Sequence, residues 1–235
     1  MQLLEEFVLR QAIVVCPNCN ACFCTPQLAH MPIITGDSPV ETDLHRVLPN
    51  GAIRAALIAC CKDCSYAWWI TAFKTKALLP DTLTADEYSM ERLQYPRKFA
   101  NAFVTGKKNK CSSRELGLLA LNGAWCAREA GLGHERWLEL AAEELEKALE
   151  DKSIAGNKGY FHYIMGEIYR QLRQYDKAVS HYNRVNYHSR LPRELVLRQK
   201  VQATAGDSTP TRLPSYLVEL LFCPGAARKP FNNHI

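Results

Sequence analysis

Two cysteine pairs of identical spacing constrain this chain more than any other feature: Cys16-Pro17-Asn18-Cys19 and Cys61-Lys62-Asp63-Cys64. Two residues between cysteines let one tight turn aim both sulfurs at a single point. Backbone N–H groups in that turn donate to the sulfurs and favour the thiolates. Two such turns supply four ligands, the closed tetrahedral shell of a structural zinc ion, one per chain. Forty-one residues separate Cys19 from Cys61, against ~15 to 20 in a compact zinc ribbon. Loop-closure entropy grows only logarithmically with length, so the longer insert costs below ~1 kcal/mol more. A structural zinc contributes on the order of 10 kcal/mol, and the insert does not defeat the site.

The other uses of cysteine fit these pairs less well. Glu5 and Glu6 stand where a signal peptide needs basic and then apolar residues, so export is not expected. No apolar run reaches the ~18 residues of a spanning helix. The expectation is a cytoplasmic protein with no membrane segment, where ten cysteines serve metal ligation, catalysis or burial rather than a disulfide framework. A redox pair wants its first cysteine at a helix N-terminus. "NACFCTPQ" after Cys19 is a poor helix, and "SYAWWITAF" after Cys64 reads as a strand. Burial as a small hydrophobe suits Cys126, Cys111 and Cys223. Cys22, Cys24 and Cys60 are spare thiols, any of which can replace a ligand. His30 and His45 rank below them as alternative ligands, each read as a loop residue.

The chain changes regime near residue 83. Before it, "QAIVV" and "AALIA" are short apolar runs directly ahead of each cysteine group, and both read as strands. The segment between them is rich in Pro, Thr, Gly and Asp and reads as loop with at most one extra strand. After it the periodicity is helical. Ser112 and Glu115 form a capping box, and Gly131 is a C-terminal stop. Leu138, Ala141, Ala142, Leu145, Ala148 and Leu149 share one face of the next helix. Asn157 caps another, in which Phe161, Ile164, Met165, Ile168, Tyr169 and Leu172 recur at helical spacing. Pro192 and Pro214 open two more. Hydrophobic residues at 47% and charged residues at 23% exclude disorder over most of the length. The expected class is α+β: a zinc-ribbon-like cysteine-rich module over 1–82, a mainly helical tetratricopeptide-like domain over 83–223, and a flexible tail over 224–235.

"YFHYIMGEIYRQLRQYDKAVSHYNRV", residues 160–185, resembles a tetratricopeptide repeat. Gly166, Tyr169, Tyr175, Ala178 and Tyr182 fall at the repeat's small and aromatic positions. Small residues let two helices approach closely, and the aromatics fill the space to the next pair. "WLELAAEELEKAL" reads as the second helix of a degenerate preceding repeat, with Ala142 lying 36 residues before Ala178. Solenoids need at least ~3 repeats. Other helices, the metal module or a second subunit must therefore cover the exposed faces.

The order of parts resembles one bacterial family, the uncharacterised group catalogued as domain of unknown function twenty-two twenty-five. The resemblance spans roughly residues 12–205. It rests on Cys16, Pro17, Cys19, Cys61, Cys64, Tyr66, Ala67, Gly166, Glu167, Tyr169 and Arg170. It implies a zinc-ribbon-like part joined to tetratricopeptide-like helices, with no established activity. Glycine commonly follows such knuckles, whereas Asn20 and Ser65 stand in those places here.

Three functions follow from these features. The first is a non-catalytic, zinc-stabilised scaffold that binds a protein partner through its helical surface, with packing on the ribbon and a homodimer as the plainer alternative. The second is a nucleic-acid-binding zinc ribbon using Lys107, Lys108, Lys110, Trp68 and Trp69. Against it, "GKKNK" is short enough to be a solvated loop, and adjacent tryptophans on a strand face opposite sides, one toward the ribbon and one toward the helices. A net charge of +5 permits nucleic acid without requiring it. The third is a thiol-disulfide oxidoreductase. The chain has no H-E-x-x-H, phosphate loop or dinucleotide fingerprint, and "HERWL" at His134 lacks a second histidine. The expectation is therefore no enzyme.

Overall fold

The structure is a computed structural model that describes residues 9–29, 38–48, 51–83, 94–150, 154, 158–185 and 191–222. The class is α+β, a small antiparallel sheet followed by a helical region. The chain divides into two compact units, one of residues 1–32 and 48–147, the other of residues 33–47 and 148–235.

The first unit starts with strand β1 (Leu9–Val15), which pairs antiparallel with β2 (Cys22–Leu28) on one side and β5 (Lys74–Leu83) on the other. A short helix α1 (Gly51–Ala55) leads into the hairpin of β3 (Ile58–Cys60) and β4 (Ala67–Trp69). Alternation along β1 buries Ala12 and Val14. With Cys16, Ala59, Cys61, Ile70 and Phe73 they form an apolar cluster at the strands. Helices α2 (Gln94–Lys108), α3 (Ser113–Glu129) and α4 (Glu135–Glu150) follow. Phe99, Ala102, Leu119 and Cys126 from α2 and α3 form a second cluster with Ile58 and Ala67. Arg54 of α1 donates to both carboxylate oxygens of Glu129 at 2.9 Å, and the Leu48 N–H donates to the same group at 2.9 Å.

The strand expected over "AALIA" is shorter than its apolar run. Ala55 ends α1, Ala56 and Leu57 turn, and only Ile58–Cys60 is extended. Alanine favours helix, and contacts with α3 hold α1 in place. Gly51 abuts the Cys126 carbonyl, where an added Cβ would stand 2.9 Å from the oxygen.

In the second unit, α5 (Lys158–Gln171) packs on α6 (Tyr175–Asn183), followed by α7 (Arg193–Thr204) and α8 (Ser215–Phe222). Residues 38–47 belong here. The Leu213 N–H donates to the Val40 carbonyl at 2.7 Å, and the Thr42 N–H to the Thr211 carbonyl at 2.9 Å. The Tyr163 hydroxyl donates to the Thr42 carbonyl at 2.5 Å. At its centre lies a buried ion pair, Arg170 Nη2 to Glu167 Oε2 at 2.8 Å. Arg170 Nη1 also donates to the carbonyls of Asp207 and Thr209 at 2.9 and 3.1 Å. Tyr182 donates to Glu167 Oε1 at 2.5 Å.

The units divide differently from the boundary expected after residue 82. Helices α2 and α3 share an apolar cluster with Ile58 and Ala67 of β3 and β4, so they count with the strands. Residues 33–47, expected as a loop of the cysteine module, count with the helices instead. The capping box is as expected, with the Glu115 N–H donating to Ser112 Oγ at 3.3 Å and the Ser112 N–H to Glu115 Oε2 at 3.0 Å. Gly131 has the positive φ, 68°, of a helix stop. Leu138, Ala141, Ala142, Leu145 and Ala148 are buried together on α4. Asn157, His30, Cys223 and the expected tail at 224–235 lie outside the described residues.

Candidate metal centre

Each C-x-x-C pair forms the tip of a hairpin, the first between β1 and β2, the second between β3 and β4. The two tips repeat each other bond for bond. The Cys16 N–H donates to the Ala21 carbonyl at 2.9 Å, and the Cys61 N–H to the Tyr66 carbonyl at 2.8 Å. The Asn20 N–H donates to the Cys16 carbonyl at 2.9 Å, and the Ser65 N–H to the Cys61 carbonyl at 3.1 Å. The Ala21 and Tyr66 amides bond to the sulfurs of Cys19 and Cys64. The strand before each pair and the amide donors in each turn follow the logic read from the spacing.

The hairpins bring the four sulfurs together. Cys16 Sγ lies 3.6 Å from Cys64 Sγ, Cys19 Sγ lies 3.6 Å from Cys61 Sγ, and all four are within 4.8 Å of one another. Zn–S bonds of ~2.3 Å in a tetrahedron put sulfurs ~3.8 Å apart, so the donor set fits such an ion. Disulfide sulfurs stand at ~2.05 Å, and all four cysteines are free. Cys16 and Cys61 are buried, Cys64 is half-buried and Cys19 is exposed. The cluster can hold a metal ion.

The sulfurs are electrostatically unequal. The Asn18 side chain and the Tyr66 amide hydrogen-bond Cys64 and pull its thiol down to about 6. At Cys19 the Ala21 amide pulls down. Cys64, desolvation and Cys61 outweigh it and push the thiol up to about 12. The sequence reading missed Asn18, although an Asn inside the turn, with a side-chain amide able to reach back, is a legible signal.

The remaining cysteines and histidines fall elsewhere. Cys126 is buried, donates to the Gly51 carbonyl at 3.4 Å, and is pushed up to about 12 by burial. Cys60 and Cys111 are half-buried, while Cys22 and Cys24 are exposed on β2. None of these four joins the sulfur cluster. His45 belongs to the second unit, where Nδ1 meets Glu41 Oε2 at 3.1 Å beside Asp43.

The residues considered for nucleic acid are largely engaged in packing. Lys107 Nζ pairs at 2.6 Å with the buried Glu144 carboxylate. Lys107 and Lys108 end helix α2, and Lys110 follows it with φ 56°. Trp68 packs against both apolar clusters, and an added Cβ on Gly106 would meet its ring at 2.8 Å. Trp69 meets Phe99 edge-on at 6.3 Å.

The residues read as small and aromatic repeat positions lie on α5 and α6. Gly166 faces the Tyr182 ring so closely that an added Cβ would run into it. Tyr169 and Ala178 are buried, and Tyr175 donates to the Gly206 carbonyl at 2.7 Å.

No family model, curated protein or solved structure matches the chain. No helix among the described residues is long and apolar enough to cross a membrane.

Proposed function

We propose that Cys16, Cys19, Cys61 and Cys64 hold one structural zinc ion in a zinc-ribbon-like module, and that the protein is a non-catalytic cytoplasmic scaffold. Its tetratricopeptide-like helices bind a protein partner, in keeping with the bacterial family the chain resembles. The observation that carries the zinc reading is the four-sulfur cluster, all atoms within 4.8 Å, set at the tips of two matched hairpins. Four cysteine ligands close the shell and leave no open position for a substrate. Neither pair sits at a helix N-terminus, the position that activates a redox thiol.

Purified protein should carry about one zinc per chain by elemental analysis, and chelation should lower its melting temperature. A metal-free preparation that melts at the same temperature overturns the reading. For the scaffold, Leu197 and Val201 stand exposed one helical turn apart on α7. L197E/V201E should keep the native melting temperature and lose the proteins captured with the native chain. An unchanged capture set argues against this surface.

A further inference from the structure

Cys22 and Cys24 follow the first knuckle, and the metal centre uses neither. They stand two residues apart on β2, so both side chains leave the same face of the strand. Phe23 between them points the other way and meets Phe73 edge-on at 5.9 Å, against the apolar cluster at the strands. That anchor turns both thiols outward, and both are exposed. β2 is an outer strand of its three-stranded sheet. Across the β1 ladder, Cys22 faces Val15 and Cys24 faces Ile13, so the neighbours on that side are apolar.

The pairing of β1 with β2 runs from Leu9↔Leu28 to Val15↔Cys22 with no shift. Same-face side chains on such a strand leave it ~6.5 Å apart, two residues of ~3.3 Å rise, well beyond the ~3.8 Å between the Cβ atoms of a disulfide. The strand therefore disfavours closure to a disulfide and keeps a dithiol. Two thiolates with apolar cross-strand neighbours suit a soft ion of low coordination number.

We propose that Cys22 and Cys24 form a second, exposed thiolate site that takes Cu(I) between the two sulfurs. Two thiol protons leave as the ion binds, and no electron is transferred. The site is separate from the four-cysteine cluster, whose sulfurs complete one another's shell, and its exposure makes it an exchanging site rather than a structural one.

The test uses zinc-loaded full-length protein titrated anaerobically with Cu(I) buffered by bicinchoninate. Iodoacetamide alkylation and peptide mass measurement follow, with released zinc read in parallel. The first equivalent should protect Cys22 and Cys24 together and release no zinc. C22S/C24S should keep the native melting temperature and bind that equivalent more weakly by about tenfold or more. Protection at Cys16, Cys19, Cys61 and Cys64 with release of zinc would overturn the proposal, as would undiminished uptake by C22S/C24S. Because protection is scored cysteine by cysteine, a chain that holds no zinc would refute the structural-zinc reading and still give a result for this one.

Discussion

Asn20 and Ser65 occupy the same place in the two knuckles, each one residue past the second cysteine, with φ of 62° and 60°. Both turns thus demand the left-handed backbone that glycine adopts without penalty.

The two positions should respond differently to glycine. A left-handed backbone costs an ordinary L-residue ~1–2 kcal/mol, and less for Asn. Glycine loses ~0.4–1 kcal/mol through its freer unfolded chain. Ser65→Gly should therefore stabilise the metal-loaded protein by up to ~1 kcal/mol, while Asn20→Gly should be nearly neutral. Ser65→Val should destabilise it. Thermal melts at fixed zinc read all three, and a loss of stability in Ser65→Gly would contradict the shared turn geometry.

Gly166→Ala should cost ~1–3 kcal/mol because the new methyl meets the Tyr182 ring. In a Tyr182→Ala background the same change should cost much less. Urea denaturation of the four-member cycle measures the coupling. Additive effects would mean that the two residues do not touch.

Burial pushes the Glu167 carboxyl up against the opposing pull of Arg170. Arg170→Met strands that carboxylate and releases the Asp207 and Thr209 carbonyls, which should cost ~3–5 kcal/mol. Glu167→Gln combined with Arg170→Met should recover part of the loss. Hydrogen exchange should show faster opening at residues 207–211 in the single variant.

His162 and His181 meet through their Nδ1 atoms at 3.1 Å. Burial, with Arg184 and Lys158 nearby, pushes the His162 imidazole down. His181 also lies against Tyr169, whose ring Lys177 covers. A base with a depressed folded pKa stabilises the fold above its unfolded value of ~6.5 and loses that contribution as pH falls below it. Stability should drop as pH falls below the unfolded value of ~6.5, and His162→Gln should flatten the difference relative to the native chain. Equal slopes for the two proteins would remove His162 from the account. Comparing the two separates this term from thiolate protonation, which both share.

What was legible in the sequence was local. A C-x-x-C turn, the Ser112–Glu115 box, Gly131 as a stop, and the small and aromatic positions of 160–185 are short-range patterns with short-range causes. The candidate site was legible for the same reason, since each half is one turn. What the sequence could not show was which distant parts share a core. The run at 55–59 looked like a strand because an apolar run of that length carries no period that separates strand from buried helix. Contact with α3 decided it.

The sequence by itself determined that two cysteine turns would each present a pair of sulfurs and that helices would follow. Only the tertiary structure decided that α2 and α3 share a core with β3 and β4, that Thr42 is held by Tyr163 and Arg170 within the helical unit, and that Trp68 packs against both apolar clusters at once. The physical reason is the range of the forces. Turn and capping energies act within a few residues, whereas burial is settled by whichever apolar surfaces the whole chain can bring together.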